Sequence, residues 1–334
     1  MKVSYLGDLS RQDPLFGYLQ ADITPQLGIQ LPEAAYRVYK FSAIQDVFLY
    51  EETHCYLRLV GKFHKAHHGR TTEQSRAVAE TEYQNLCYLR SLGLDRPPHY
   101  VVRPFGFNPL LDNVLILEYL PGELLSDLIN DAIHRGKRQR LFRKLSGLAY
   151  FLAFLHNRTA RTEGVDFQVD EAYLERILHS IQHKRGVSPA RLAVFSRLGD
   201  NWRAREEMWQ DCEVLLHGDA TPSNFIFGPE GQVMLIDVER MKRGDRVFDL
   251  GRLAGELKHF FFRATADPQA SEPFIGHFLW EYCRHFPDQS RAFAAITRRI
   301  PFHLGLTLLR IARNSWIDDA YRWSLLGLAE EIMR

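Results

Sequence analysis

The sequence has few cysteines and no long apolar run. Its four cysteines, among 334 residues, lie far apart and form no Cys-x-x-Cys pair, which excludes the disulfide framework of a small secreted domain. No stretch approaches the roughly 18 consecutive apolar residues of a membrane-spanning helix, and the first residues lack the apolar core of a signal peptide. We therefore expect a cytoplasmic protein with reduced thiols and no membrane span.

An excess of charge of either sign is also absent. Lys and Arg together number 42 and Asp and Glu 41, which gives a formal net charge of +1. No overall field therefore attracts the chain to nucleic acid or to an anionic membrane. Because 334 residues exceed the roughly 250–300 at which a single core stops growing, we expect two lobes. The sequence leaves open whether the protein is a monomer or a homodimer.

Glycine-rich phosphate loops are missing as well. The chain contains no Gly-x-x-x-x-Gly-Lys-Ser/Thr motif, which excludes the P-loop as a phosphate cradle. The turn between the first two predicted strands, residues 41–46, also lacks glycine. Any phosphate contact at this turn would have to come from backbone amides and from Ser42.

Two acids and an amide are present at an informative spacing. Asn224 follows Asp219 by five residues, and Asp237 follows Asn224 by thirteen. Magnesium prefers hard oxygen ligands such as these side chains offer, and phosphoryl transfer needs a carboxylate beside the attacking hydroxyl. The pattern thus favours a phosphoryl-transfer site in which Asn224 and Asp237 hold magnesium and Asp219 accepts the proton.

Two short apolar runs lie between Asn224 and Asp237. They are residues 225–227 and 233–236, and Gly228-Pro229-Glu230-Gly231 separates them. Such a tetrapeptide predicts a hairpin turn, which would bring Asn224 and Asp237 together around one ion. The alternative is a surface loop with acids, followed by an unrelated buried strand.

A candidate phosphate lysine lies upstream in a predicted strand, residues 55–63. Val60 and Lys62 share one face of this strand, because side chains alternate along it. The alternative is an edge lysine in solvent. A helix is predicted next, from about Thr72 to Leu92, on the helical spacing of its apolar residues.

The same patterns predict further elements. Strands are predicted at residues 36–41 and 46–50 before the Lys62 strand, and at 101–106 and 114–119 after the helix. An amphipathic helix is predicted at 140–156, and two more helices between 168 and 212.

At these residues the chain resembles the aminoglycoside phosphotransferase and choline kinase group of the protein-kinase-like fold. His217-Gly218-Asp219 with Asn224 is similar to the catalytic loop of that group, and Ile236–Glu239 to its metal-binding segment. Phe248–Gly251 resembles the segment that follows. The resemblance implies an α+β fold of two lobes, with a small antiparallel sheet and one helix in the first and mostly helices in the second. We expect an extension at residues 1–33 and lobes at 34–119 and 120–334.

The resemblance also implies roles for particular side chains. Lys62 orients the phosphates of ATP, and an acid on the following helix holds that lysine. Glu82 is the expected partner, and Glu80, on a different face, is the alternative. Asn224 and Asp237 are the expected Mg²⁺ ligands.

Supporting residues follow from the same comparison. His217 is expected to brace the catalytic loop, with a general base as the alternative role. Asp249 is expected to be a buried acid that accepts backbone amides, with a third metal ligand as the alternative. Glu239 is either a metal ligand or an acid behind the metal. Adenine is expected to hydrogen-bond the backbone near Glu118 and Leu120, although an ordinary strand-to-helix turn is the alternative there.

The expected activity is transfer of the γ-phosphoryl of ATP, or of GTP, to a hydroxyl of a small metabolite or an aminoglycoside-like molecule. One alternative is an inactive pseudokinase that binds nucleotide or scaffolds a partner. The other is a protein kinase, which Gly218 and the short span from Asp237 to Asp249 disfavour. The charge of the substrate stays undetermined. Candidate residues for a cationic substrate are the aromatic Trp280, Trp316, Tyr321 and Trp323, and those for an anionic one are Arg298, Arg299, Arg310 and Arg313.

Three clustered histidines are a further candidate metal site. His64, His67 and His68 follow the Lys62 strand closely. Because Lys65 and Arg70 share this short segment and repel a cation, a basic loop is the preferred interpretation.

Overall fold

The computed structural model describes residues 3–41, 46–66, 70–229 and 231–334. The chain divides into two compact units. The first contains the chain up to Leu124 and, in addition, Phe225–Arg240. The second contains Leu125–Asn224 and Met241–Arg334.

The strands of the described residues are, in chain order, β1 Val3–Asp8, β2 Tyr36–Phe41, β3 Val47–Glu52, β4 Arg58–Phe63, β5 Asp95–Arg96, β6 His99–Val101, β7 Pro104–Asn108, β8 Val114–Glu118, β9 Glu123–Leu124, β10 Val214–Leu216, β11 Phe225–Phe227, β12 Val233–Leu235 and β13 Lys242–Gly244. The α-helices are α1 Pro14–Tyr18, α2 Thr72–Ser91, α3 Leu125–His134, α4 Arg138–Arg158, α5 Gln168–Arg185, α6 Pro189–Arg203, α7 Val247–Thr265, α8 Glu272–Cys283, α9 Gln289–Ala312 and α10 Asp319–Met333.

The first unit is built on an antiparallel sheet in the order β1-β2-β3-β4-β8-β7. The predicted strands at residues 36–41, 46–50 and 55–63 correspond to β2, β3 and β4, and the one at 114–119 to β8. The apolar run at 101–106 is instead divided between two sheets, because β6 ends at Val101 and β7 begins at Pro104. Proline lacks a donor N–H and is tolerated as the first residue of a strand.

The N-terminal extension is part of this sheet. Its β1 pairs antiparallel with β2, which adds a strand that the sequence pattern did not predict. The side chains of β1 are mostly exposed, so the strand carries no alternation of apolar and polar residues. The segment after it packs Leu15, Leu19 and Ile23 into the apolar core on one side of the sheet.

Helix α2 follows the sheet's fourth strand, as predicted. It begins with a capping box in which the Thr71 side chain accepts from the Gln74 amide and the Gln74 side chain accepts from the Thr71 amide. This arrangement satisfies donors that a helix start otherwise leaves unpaired.

The predicted hairpin is confirmed. Strands β11 and β12 pair antiparallel, with Phe225 opposite Leu235. On its outer edges the hairpin pairs with β9 and, in parallel, with β6. These ladders explain why Phe225–Arg240 belongs to the first unit.

The second unit is mostly helical. The predicted amphipathic helix at residues 140–156 is α4, and the two predicted between 168 and 212 are α5 and α6. The small sheet β10-β13 joins the segments before and after the hairpin. No helix in the described ranges combines the length and apolar character needed to cross a membrane.

Helices α7 and α9 pack closely because glycine lies at their contact. A Cβ added at Gly255 would come within 2.5 Å of the Thr307 Cβ and 3.1 Å of the Leu304 carbonyl oxygen. Both distances are shorter than ordinary van der Waals contacts, so this approach requires the absence of a side chain.

We predict that Gly255→Ala lowers the free energy of unfolding by about 1–3 kcal/mol, because the added methyl overpacks the α7–α9 contact. Gly276→Ala is the matched control: it lies within α8 and a Cβ there meets nothing within 4 Å. There alanine should raise stability by roughly 0.5–1 kcal/mol through its helix propensity. Denaturant unfolding of both variants measures the difference, and equal effects would contradict the packing argument.

Candidate active site

Lys62 lies at the centre of an ion-pair network in the first unit. Its Nζ donates to Glu82 Oε2 at 2.8 Å and to Glu82 Oε1 at 3.0 Å. It also donates to Asp237 Oδ1 at 2.7 Å. Glu239 Oε2 lies 4.0 Å from the same nitrogen. The structure thus brings together four residues that the sequence assigned to nucleotide and metal.

The register of the sheet and the position of Glu82 on α2 determine which side chains form this network. Lys62 lies opposite Val47 on β3 and Leu115 on β8, so it is held in the middle of the sheet. Glu82 is fully buried on α2, whereas Glu80 is exposed. Of the two candidate acids, Glu82 is therefore the one that pairs with Lys62.

The surroundings of Lys62 favour the protonated form of its side chain. Burial lowers the pKa of its ammonium, but the carboxylates of Glu82 and Asp237 outweigh burial and raise that pKa above its usual value. Lys62 is therefore cationic at neutral pH. A partly buried cation that two acids hold in a fixed position is suited to binding an anion.

Asp237 directly follows the predicted hairpin and has an unusual backbone. Its φ of 61° is left-handed, a conformation that aspartate tolerates better than most residues. Its side chain is 39% exposed, and its Oδ1 accepts from Lys62. Hard oxygens of this kind suit Mg²⁺.

Within the histidine cluster, His64 lies beside two acids. His64 Nε2 lies 3.2 Å from Glu82 Oε2, and His64, Glu82 and Glu239 are close enough to share an ion. The Lys62 ammonium contacts the same Glu82 carboxylate, and the basic loop stays a prediction. His67 and His68 lie outside the described residues.

Of the remaining candidates for nucleotide binding, Glu118 and Leu120 lie within the described residues. Glu118 ends β8, and its carboxylate accepts from the Tyr100 hydroxyl at 2.6 Å. Its amide donates to the Arg103 carbonyl at 2.9 Å. Leu120 is buried. Ser42 lies outside the described residues, so its phosphate contact stays a prediction.

The catalytic-loop segment of the second unit is anchored by Asp249. Its Oδ2 accepts from the His217 amide at 2.7 Å and its Oδ1 from the Gly218 amide at 3.0 Å. Gly218 has φ +79°, a left-handed value that glycine adopts without strain. The His217 ring accepts from the Asp219 amide through Nδ1 at 3.3 Å. The loop is thus held through its backbone.

Asp249 itself is completely buried at the start of α7. Burial raises the pKa of its carboxyl, but the hydrogen bonds and charges of its neighbours, His156 foremost, hold that pKa below its ordinary value. His156 Nε2 lies 3.4 Å from Asp249 Oδ2, and its Nδ1 is 2.9 Å from the Tyr282 hydroxyl. The anion is therefore stabilised by polar groups on two sides.

Asp219 and Asn224 are joined within the loop. The Asn224 Nδ2 donates to the Asp219 carbonyl at 2.9 Å, and Asn224 is buried. The Asp219 carboxylate accepts from Arg252 Nη1 at 3.0 Å. Sequence reasoning missed Arg252, although its position one helical turn after Asp249 places it on the same side of α7.

The match to a known family covers most of the chain. The model of the phosphotransferase enzyme family matches residues 42–286, which include both groups of site residues. The chain belongs to this phosphotransferase enzyme family. Comparison with curated protein sequences finds no match.

Solved structures show that the fold of this phosphotransferase family member is protein-kinase-like. A choline kinase from Streptococcus pneumoniae aligns with a TM-score of 0.54 at 18% identity, covering 88% of this chain and 91% of that one. An ethanolamine kinase from Plasmodium vivax aligns with a TM-score of 0.59 at 15% identity, covering 92% and 84%. An ADP-bound aminoglycoside phosphotransferase aligns with a TM-score of 0.55 at 17% identity, covering 94% of this chain and 99% of that one. At such identities the likeness establishes the fold.

We predict that Asp249→Asn destabilises this phosphotransferase by about 1–3 kcal/mol, because a carboxamide cannot accept from both loop amides and leaves a buried donor unsatisfied. Asp200→Asn is the control, since that side chain is 64% exposed and its replacement should have little effect. Urea unfolding measures both. A free energy of unfolding unchanged in Asp249→Asn would show that the carboxylate does not anchor the loop.

Proposed function

We propose that the protein is a small-molecule kinase that transfers the γ-phosphoryl of ATP, or of GTP, to a hydroxyl group. The observation that carries this proposal is the pair formed by Lys62 and the buried Glu82, with Asp237 at its side. A lysine held by a helix acid, next to a candidate metal carboxylate, is the arrangement that orients nucleotide phosphates in kinases. The braced Asp219 loop supports the same function independently.

Lys62 acts on the donor. Its ammonium is charged and held in place by Glu82, so it can bind phosphate oxygens with little loss of side-chain entropy. The backbone near Glu118 and Leu120 is proposed to bind the base, and Ser42 to contact phosphate. Together these groups would orient the γ-phosphate, since positioning supplies much of the barrier reduction in phosphoryl transfer.

The donor set fits magnesium. Asp237 and Asn224 offer a carboxylate and an amide oxygen, both of them hard ligands, and Glu239 lies near Lys62 as a further acid. We propose that Asp237 and Asn224 hold Mg²⁺, with Glu239 behind them or as an added ligand. When bound, the ion neutralises phosphate charge and favours departure of the nucleoside diphosphate.

Asp219 acts on the acceptor. The acceptor oxygen attacks the γ-phosphorus, the bond from that phosphorus to the bridging oxygen breaks, and the hydroxyl proton passes to the Asp219 carboxylate. The nucleoside diphosphate leaves with the bond's electron pair. The Asp249 hydrogen bonds to His217 and Gly218 fix the loop that carries Asp219, so His217 and Asp249 position the base.

We predict that Asp219→Asn lowers turnover by roughly 10²–10⁴ and leaves nucleotide affinity nearly unchanged, because the side chain acts on the acceptor. Release of nucleoside diphosphate from magnesium ATP and GTP should be followed across aminoglycosides, choline, ethanolamine, sugars, amino sugars and homoserine. Asp200→Asn serves as the matched control. Equal turnover of Asp219→Asn and wild type would contradict the assigned role.

We predict that Glu82→Gln lowers kcat/KM by about 100-fold, because a misplaced Lys62 no longer aligns the γ-phosphate. Glu80→Gln removes the same charge from an exposed position two residues away and should leave kcat/KM unchanged. Circular dichroism verifies that both variants fold. Similar losses in the two variants would mean that only the local charge matters, and no loss in either would remove Lys62 from the proposed site.

A further inference from the structure

Two arginines converge on the carboxylate of Asp219. Arg252 Nη1 lies 3.0 Å from Asp219 Oδ1, and Arg310 Nη1 lies 3.9 Å from the same oxygen. Arg252 comes from α7 and Arg310 from α9, two helices that pack tightly through Gly251 and Gly255. The geometry therefore places two guanidinium groups where the acceptor hydroxyl must approach.

Both groups carry charge in a protected setting. The side chains of Arg252 and Arg310 are 5% and 16% exposed, and guanidinium does not lose its proton in proteins. Charges in such surroundings are screened much less than charges at the surface. They therefore act on any acceptor bound beside Asp219.

The protein's own acids balance these charges incompletely. Glu256 pairs with Arg310, but burial raises the pKa of the Glu256 carboxyl and so weakens its hold on a negative charge. The Nε of Arg310 is buried and has no hydrogen-bond partner among the described residues. A buried donor of this kind is costly unless a further interaction offsets it.

The pKa of the Tyr173 hydroxyl indicates the sign of the electrostatic potential around that group. Its hydroxyl accepts from Arg252 Nη2 at 3.3 Å. Burial raises the pKa of the Tyr173 hydroxyl, yet Arg252, Arg310 and Arg313 together bring that pKa below its usual value. The surroundings of the Tyr173 hydroxyl, which Arg252 links to Asp219, are therefore positive on balance.

Other side chains already contact three of the aromatic candidates for a cationic substrate, namely Trp280, Trp316 and Tyr321. The guanidinium of Arg263 lies 5.7 Å from the centre of the Trp316 ring and 5.5 Å from that of Tyr321. These two rings thus stack on a cation of the protein itself. Trp280 packs edge-on against Phe293, and Trp323 is half exposed.

We propose that the acceptor carries an anionic oxyacid group, a carboxylate or a phosphate, close to the hydroxyl that is phosphorylated, and that Arg252 and Arg310 bind this group. This inference rests on the proposed function, in which Asp219 receives the proton of the acceptor. Arginine presents paired N–H donors that match the oxygens of carboxylate and phosphate. An ammonium group at the same place would face two cations, which disfavours choline-like and aminoglycoside-like acceptors.

The test uses acceptors that share one carbon frame and differ in charge. Gluconate and sorbitol 6-phosphate carry the two anionic groups, sorbitol is neutral, and glucamine is cationic. With the full chain and magnesium ATP, we expect kcat/KM for one of the anions to exceed that of glucamine by about 100-fold, as two close charge contacts allow. Whether gluconate or sorbitol 6-phosphate is preferred distinguishes a carboxylate site from a phosphate site.

Variants of Arg310 test the cause of the preference. Arg310→Gln should reduce the preference for the anion by about 10–100-fold, chiefly through KM, and Arg310→Lys should restore part of it. Arg298→Gln is the matched control, because Arg298 lies on the same helix and is exposed. Equal rates with glucamine and with the anions, or a preference that survives Arg310→Gln, would overturn the inference while leaving the kinase function intact.

A binding measurement covers the case in which no member of the series accepts phosphate. Saturation-transfer NMR compares gluconate, sorbitol 6-phosphate and glucamine as probes of wild type and Arg310→Gln. Binding of an anion that is lost in Arg310→Gln supports the inference. Tighter binding of glucamine, or binding of none of the three, contradicts it. Failure of the proposed function is seen separately, as absence of magnesium-dependent ATP binding.

Discussion

The buried carboxylate of Asp249 is the constraint on which the candidate catalytic loop depends. A carboxylate at full burial is costly unless hydrogen bonds compensate it, and here the amides of His217 and Gly218 and the ring of His156 supply them. The same bonds fix the backbone on either side of Gly218, which is left-handed and directly precedes Asp219. The buried acid thus holds the backbone that carries Asp219.

In the first unit a positive charge is held in a similar way by carboxylates. Lys62 is partly buried in the sheet, and its charge is compensated by Glu82 and Asp237. Its position is therefore fixed by the register of the strands and by the position of Glu82 on α2. In both units a buried carboxylate, Asp249 or Glu82, is paired at a defined distance, which costs stability but gives a fixed geometry. Phosphoryl transfer needs such geometry, because its barrier is lowered mainly by positioning and electrostatics.

The sequence predicted the features that depend on local pattern. Alternation along strands located most of the first sheet, helical spacing located α2 and α4, and the Gly-Pro-Glu-Gly turn located the β11–β12 hairpin. Strand β1 escaped prediction because its exposed side chains show no alternation. The sequence offered Arg310 only as one of four arginines for an anionic substrate and did not indicate Arg252, since their convergence on Asp219 depends on the packing of α7 against α9.

Phosphorus NMR of the protein with magnesium ATP and each hydroxyl compound in turn shows directly whether the γ-phosphoryl is transferred. With the acceptor present, we expect the γ-phosphate resonance to disappear while a phosphate monoester resonance grows in equal amount and ADP accumulates. Spectra in which ATP persists, or in which only inorganic phosphate appears, would contradict the assignment of the protein as a kinase of small hydroxyl compounds.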